Sequence, residues 1–134
     1  MGGERILIVD DNATNLKLVA YLMKASGYTV ETALDAESAI DAIRVNHPDV
    51  ILMDIQLPGI DGLELTRRLK ADPRTRDIVI VAVTAYAMKG DQARALDAGC
   101  DDYVAKPIDT RALPETIARH LANRKAAVAT GGRA

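Results

Sequence analysis

Two stretches of this chain, ILIV at 6–9 and IVIVAV at 78–83, are apolar at every position. A strand with one face in water alternates polar and apolar side chains. Runs without alternation belong to strands covered on both faces, as in a parallel sheet held between two layers of helices.

The rest of the chain keeps the rhythm that such a sheet needs. Strands are predicted at 5–9, 28–33, 49–53, 78–83 and 102–105, each short and rich in Val and Ile or followed closely by turn residues. Between them, Leu16, Val19, Ala20 and Met23 recur at helical spacing, as do Ala36, Ala39, Ile40 and Ile43, so each set forms a stripe able to dock on a sheet. Asp35 and Asp61 are candidate helix N-caps, Asp61 with Glu64 three residues on, while Gly27 and Gly99 follow expected helix ends. A fifth helix is predicted near 110–122 from Leu113, Ile117, Ala118 and Leu121, with Pro114 tolerable because it lies close to the start. The expected class is α/β, built from five strand–helix units.

At 134 residues the chain suits one domain, expected over 1–122. The remaining 123–134, NRKAAVATGGRA, has no apolar stripe and is expected to be a flexible tail. Lys and Arg total 17 against 19 acids, a net charge of −2, which gives no electrostatic case for nucleic acid or an anionic membrane. Proteins are the expected partners. Cys100 is the only cysteine, so an internal disulfide and the paired-cysteine redox and zinc patterns are excluded. The apolar run near the N-terminus is cut short by two acids, well below the roughly 20 residues of a membrane span, and a cytoplasmic setting is expected.

In open parallel sheets ligands bind beyond the carboxyl ends of the strands, so the residues that follow each strand carry the functional information. Here Asp10 and Asp11 follow the first, Asp54 the third, Thr84 the fourth and Lys106 the fifth. Crowded carboxylates repel unless one is protonated or a cation sits among them. An all-oxygen donor set suits a hard ion, and Mg²⁺ is typically held by one or two carboxylates, water and substrate phosphate. The absence of a nearby histidine argues against zinc. With its neighbours neutralised, one carboxylate can attack a phosphoryl group. Asp54 is the candidate, because it ends an apolar strand and precedes the tight-turn segment PGIDG. Lys106 can neutralise charge on the phosphoryl oxygens and Thr84 can donate a hydrogen bond.

The segments ILIVDDN, VILMDIQLPGIDG, VAVTAYA and AGCDDYVAKPI together resemble the receiver domain of bacterial two-component response regulators, from about Arg5 to Leu121. The resemblance implies a flavodoxin-like receiver fold: a five-stranded parallel sheet of order 2-1-3-4-5 with five helices on its two faces. It makes Asp54 the phosphorylation site, Asp11 and Asp54 direct ligands of Mg²⁺ together with the backbone carbonyl of Gln56, and Asp10 a group acting through metal-bound water. Thr84 and Lys106 would contact the phosphoryl oxygens, Thr84 and Tyr103 would form the switch, and the Lys106–Pro107 peptide would be cis. The implied phosphodonor is a histidine kinase or a histidine phosphotransfer protein. The implied output is a downstream protein bound through the surface around 86–108, including Tyr86, Met88 and Lys89. Such a protein is a signalling phosphoacceptor that assists its own phosphorylation and dephosphorylation, and is not a conventional enzyme.

The short chain is most similar to the single-domain regulators of that family; a receiver cut from a hybrid histidine kinase and a phosphorylation-independent interaction module are the alternatives. Ile108 stands where DNA-binding members carry phenylalanine, a departure from the members that dimerise through the fourth and fifth helices. His47 precedes Pro48 in a turn, and His120 is expected among surface residues of the last helix, so neither is assigned phosphoryl transfer. Cys100 is read as a small buried hydrophobe. DDNATN after the first strand lacks the Ser, Thr and Gly of a flavin phosphate loop, and no G-x-G-x-x-G follows any strand.

Overall fold

Alternate residues of the central strands point to opposite faces, and helices of helical-period stripe cover both. The structure, a computed structural model, describes residues 4–55, 62–84, 89–105 and 108–129, without the side chains of 84, 89–92 and 124–129. In chain order the elements are β1 (Arg5–Val9), α1 (Ala13–Ala25), β2 (Thr29–Ala33), α2 (Ala36–Val45), β3 (Val50–Asp54), α3 (Gly62–Ala71), β4 (Val79–Thr84), α4 (Lys89–Ala98), β5 (Asp102–Ala105) and α5 (Ala112–Ala129). The five strands form one parallel sheet in the order β2-β1-β3-β4-β5. That is the order implied by the resemblance.

Sequence parity decides which layer each strand residue joins. Ile6, Ile8, Val50, Leu52, Val79, Val81 and Val83 pack with Leu16, Val19 and Met23 of α1 and Leu113, Ile117 and Leu121 of α5. Leu7, Val9, Ile51, Met53, Ile80 and Ala82 face the other way, onto α2, α3 and α4. Each aliphatic side chain so enclosed contributes about 1.5–3 kcal/mol relative to exposure. Because the chain leaves β1 for β2 on one side and returns past it to β3 on the other, the sheet order reverses between β1 and β3. The crevice at this reversal is where a ligand is accommodated.

The element boundaries differ from the predicted ones in three informative places. Tyr28 is not a strand residue, because its N–H closes the end of α1 on Met23 O at 3.2 Å, with Gly27 at φ 98° making the turn. Asp54 belongs to β3 itself, paired with Val83 of β4. And α5 continues to Ala129, so residues 123–129, expected in a flexible tail, are helical. Ala, Arg and Lys are strong helix formers, and extending an existing helix avoids the cost of nucleation. Ala118 is exposed; the buried stripe of α5 is Leu113, Ile117 and Leu121.

Candidate functional site

The carboxyl ends of β1 and β3 bring three acids together. Asp10 and Asp54 are buried, at 6% and 4% exposure, and Asp11 is exposed. One carboxylate oxygen from each of the three lies within 4.8 Å of the other two. The donor set is entirely oxygen, which fits a hard divalent cation better than zinc or copper. Asp10 and Asp54 themselves line a small crevice of about 10 Å³, whose other walls are apolar: Ile8, Val9, Val19, Leu52, Val83 and Ile108. Apolar neighbours screen the crowded charges poorly, which strengthens the demand for a counter-ion.

Local sequence explains how each acid is held. Leaving β1, the Asp10 N–H donates to Ala33 O at 3.1 Å, which ties the loop to the neighbouring strand. Asn12 is the N-cap of α1, its side chain accepting from the Asn15 N–H at 3.0 Å. The same first turn wraps the Asp10 carboxylate: Asn12 N–H donates to Oδ1 at 2.9 Å and Asn15 Nδ2 donates to Oδ2 at 3.4 Å. Among the described residues the Asp11 side chain makes no such bond, and it is left open toward solvent. Asp54 is fixed from the far side. Ile55 N–H donates to Val83 O at 3.2 Å and Gly62 N–H to Ile55 O at 3.2 Å, bringing the start of α3 back against the end of β3.

Gly62 has to be glycine for this closure. A β-carbon there would meet the Asp54 carbonyl oxygen and would lie 2.7 Å from Ile55 Cα. Thr66, buried one turn later, donates to Gly62 O at 2.8 Å and so holds the first turn of α3 in place.

Of the residues singled out in the sequence, Asp10, Asp11 and Asp54 therefore converge. Thr84 closes β4, paired with Ala105, but its side chain lies outside the described residues, as does that of Lys89. Gln56, Asp61, Tyr86, Met88, Lys106 and Pro107 lie outside them altogether, so the lysine, the carbonyl ligand and the peptide isomer remain expectations of sequence. Tyr103 is half-buried on β5 and packs against the core layer shared with α2, α3 and α4. Asp35 caps α2 as expected, accepting from Ser38 N–H at 2.8 Å, and that bond holds its carboxyl below the usual range. Cys100 is buried, with its thiol 3.8 Å from Thr66 Oγ1, and burial pushes its pKa up, the signature of an unreactive thiol.

His120 departs from its surface assignment. It is half-buried, and its Nε2 lies 2.7 Å from Asp102 Oδ2, where Arg119 also donates at 3.2 Å. Burial works to raise the Asp102 pKa, but the His120 and Tyr103 hydrogen bonds, with the charges of His120 and Arg119, outweigh it and leave the carboxyl below its ordinary value. This cluster ties α5 to β5 one residue from Tyr103. Nothing in local sequence announces it, since the partners are 18 positions apart. Asn12 and Asn15, in contrast, do carry a local signal, since N-x-x-N ahead of an apolar stripe is a capping pattern.

A second concavity, about 390 Å³, lies between α2 and α3 over Ile40, Ile43, Leu65 and Leu69. Its rim includes Arg68 and Arg74, which are engaged by Glu64 at 3.2 Å and Asp72 at 2.9 Å. Among the described residues its lining gathers no group of acids like that of Asp10, Asp11 and Asp54.

Comparison with known proteins gives a consistent picture. Residues 6–118 match the family described as response regulator receiver domain. The polar-differentiation response regulator DivK of Brucella ovis is 47% identical over 116 residues, covering 87% of this chain and 94% of that protein. Among solved structures, a CheY-like receiver domain protein from Methanospirillum hungatei superposes with a TM-score of 0.85 at 32% identity, over 92% of this chain and 97% of that one. The receiver domain of a Pseudomonas aeruginosa sensor histidine kinase, solved with a magnesium ion coordinated in its active-site cleft, gives a TM-score of 0.80 at 36% identity, over 88% and 97% of the two chains. No helix among the described residues is long and apolar enough to cross a membrane.

Proposed function

This chain belongs to the response regulator receiver domain family, signalling proteins that work through phosphorylation, and from that premise we propose that Asp54 is its phosphoacceptor. The observation that carries the reading is the convergence of buried Asp54 and Asp10 with exposed Asp11 at the reversal of the sheet order. An Asp54 carboxylate oxygen forms a bond to phosphorus as the phosphorus–nitrogen bond of a phosphohistidine donor breaks, and the electron pair of that bond leaves with the imidazole nitrogen. The donor is a histidine kinase or a histidine phosphotransfer protein.

Asp11, Asp54 and the Gln56 carbonyl would hold Mg²⁺, with Asp10 acting through its water shell; when bound, the ion supplies positive charge that offsets the crowded carboxylates and the incoming phosphoryl oxygens. Asp10, tethered by the first turn of α1, keeps its charge fixed beside Asp54. Thr84 and Lys106 contact the phosphoryl oxygens. The same geometry serves hydrolysis of the acyl phosphate, so the domain assists both its loading and its reset. Residues 1–122 are the unit that does this, with 123–134 appended, in the cytoplasm.

The output is a two-state surface spanning about 86–108 and read by a downstream protein. Inward movement of Thr84 opens space toward Tyr103, which the half-buried setting of that ring on β5 can accommodate. The similarity to a histidine-kinase receiver supports a second context for the same chemistry, as one module of a hybrid kinase. A phosphorylation-independent module is disfavoured by the intact acid set. The test is incubation with acetyl phosphate and Mg²⁺ followed by intact mass: one phosphoryl group is expected on the wild type and none on Asp54→Asn. Equal labelling of the variant, or labelling indifferent to a chelator, removes the assignment.

A further inference from the structure

Buried Asp10 and exposed Asp11 are not equally free to move. Asp10 is bonded on both carboxylate oxygens by α1, through the Asn12 N–H at 2.9 Å and Asn15 Nδ2 at 3.4 Å, while Asp11 makes no bond of this kind among the described residues. An ionised carboxylate only accepts, so Asn15 must present its amide NH₂ to Asp10. Asn15 is itself pinned, its backbone N–H bonded to the Asn12 side chain at 3.0 Å.

We propose that Asn15 is a positioning residue that restrains Asp10 from entering the inner coordination sphere and thereby sets the site's preference for Mg²⁺ over Ca²⁺. The proposal rests on reading Asp10, Asp11 and Asp54 as the cation site. Mg²⁺ requires a small octahedron and keeps several of its waters, so it is served by a carboxylate that stays back and accepts from water. Ca²⁺ takes six to eight oxygens at longer distances and gains from every carboxylate that can swing in. A tethered Asp10 therefore costs Ca²⁺ a ligand that Mg²⁺ does not need. The backbone N–H of Asn12 survives any substitution but proline, so the Asn15 side chain is the contact with Asp10 that an ordinary substitution can remove.

The experiment is titration calorimetry of Mg²⁺ and of Ca²⁺ against the wild-type chain, Asn15→Ala and Thr14→Ala, with urea unfolding of each. Thr14 is an exposed neighbour on the same turn and serves as the control for altering that turn. The expected result is a Ca²⁺-to-Mg²⁺ ratio of dissociation constants that falls about threefold to tenfold in Asn15→Ala, the scale of one hydrogen bond, and is unchanged in Thr14→Ala. Equal weakening of both ions in Asn15→Ala would show a merely structural role and overturn the proposal, as would two unchanged affinities. Asn15→Ser, too short to reach Asp10, gives the same reading if the alanine variant does not fold. Asp11→Asn and Asp54→Asn report on the premise: if Mg²⁺ binding survives both, the cation site and the proposal fail together. If both lose Mg²⁺ while Asn15→Ala keeps the wild-type ratio, only the role of Asn15 falls.

Discussion

The α-carbon of Gly62 lies so close to Asp54 that a methyl group added to it would collide with the Asp54 carbonyl oxygen. The strand that carries the proposed nucleophile and the helix that follows it are thus in backbone contact. Gly62→Ala is expected to destabilise the fold by about 1–3 kcal/mol, the usual cost of overpacking where the neighbour is rigid. Urea unfolding measures this. A variant as stable as the wild type, with unchanged phosphorylation, would mean that α3 can retreat without disturbing β3.

Crowded carboxylates repel unless a cation lies among them, so metal binding and folding are coupled. Mg²⁺ at a hundred times its dissociation constant is expected to stabilise the wild type by about 2.7 kcal/mol. Asp11→Asn should lose most of that increment while remaining at least as stable as the wild type in chelator. Thermal unfolding followed by tyrosine signals or calorimetry decides it, since the chain has no tryptophan. An Asp11→Asn protein that unfolds readily in chelator yet binds Mg²⁺ as before contradicts the assignment of the cluster.

The pairing of Asp102 with His120 and Arg119 carries a pH signature. The Asp102 carboxyl titrates below its ordinary value in the folded chain, so its contribution to stability is complete above the unfolded pKa of about 3.9 and is lost as pH falls through the lower folded value. Asp102→Asn should be less stable than the wild type at about pH 5.5, and the difference should close as pH falls through the lowered folded value. Partial exposure limits the difference to about 1 kcal/mol or less. Parallel stability curves through the acid range would show that the cluster adds nothing.

Thr84→Ala separates acceptance of the phosphoryl group from its transmission. The variant should still be labelled at Asp54 but should move the amide resonances of 86–108 less than the wild type does, because a partner or a surface responds only through a difference between two states. Shifts in the phosphorylated wild type that stay near Asp54 and leave 86–108 silent would refute the switch.

The sheet was legible because ILIV and IVIVAV have no polar alternation, and the acid cluster because its members close a strand or directly follow one. Both depend on neighbours in sequence. The Asp102–His120 contact was not legible, since β5 and α5 meet only after the helix has docked through Leu113, Ile117 and Leu121. The length of α5 is hidden for the opposite reason: residues 123–129 carry helix propensity without the apolar stripe that marks a helix in sequence. Asn15 lay in plain view in DDNATN, its role visible only once α1 had turned its amide toward Asp10.

All five residues of β3 are buried, whereas all four of β5 are only half-buried. The sheet is therefore stiff at its middle and compliant at its margin. The strand bearing Asp54 is locked on both sides by neighbours and cannot yield to a new charge without breaking two ladders at once, whereas β5 has a neighbour on one side only. A perturbation introduced at the centre is relieved at the rim, in the way that a load on a clamped plate is taken up at its free edge. Amide exchange along the five strands should accordingly be slowest on β3 and fastest on the two outer strands.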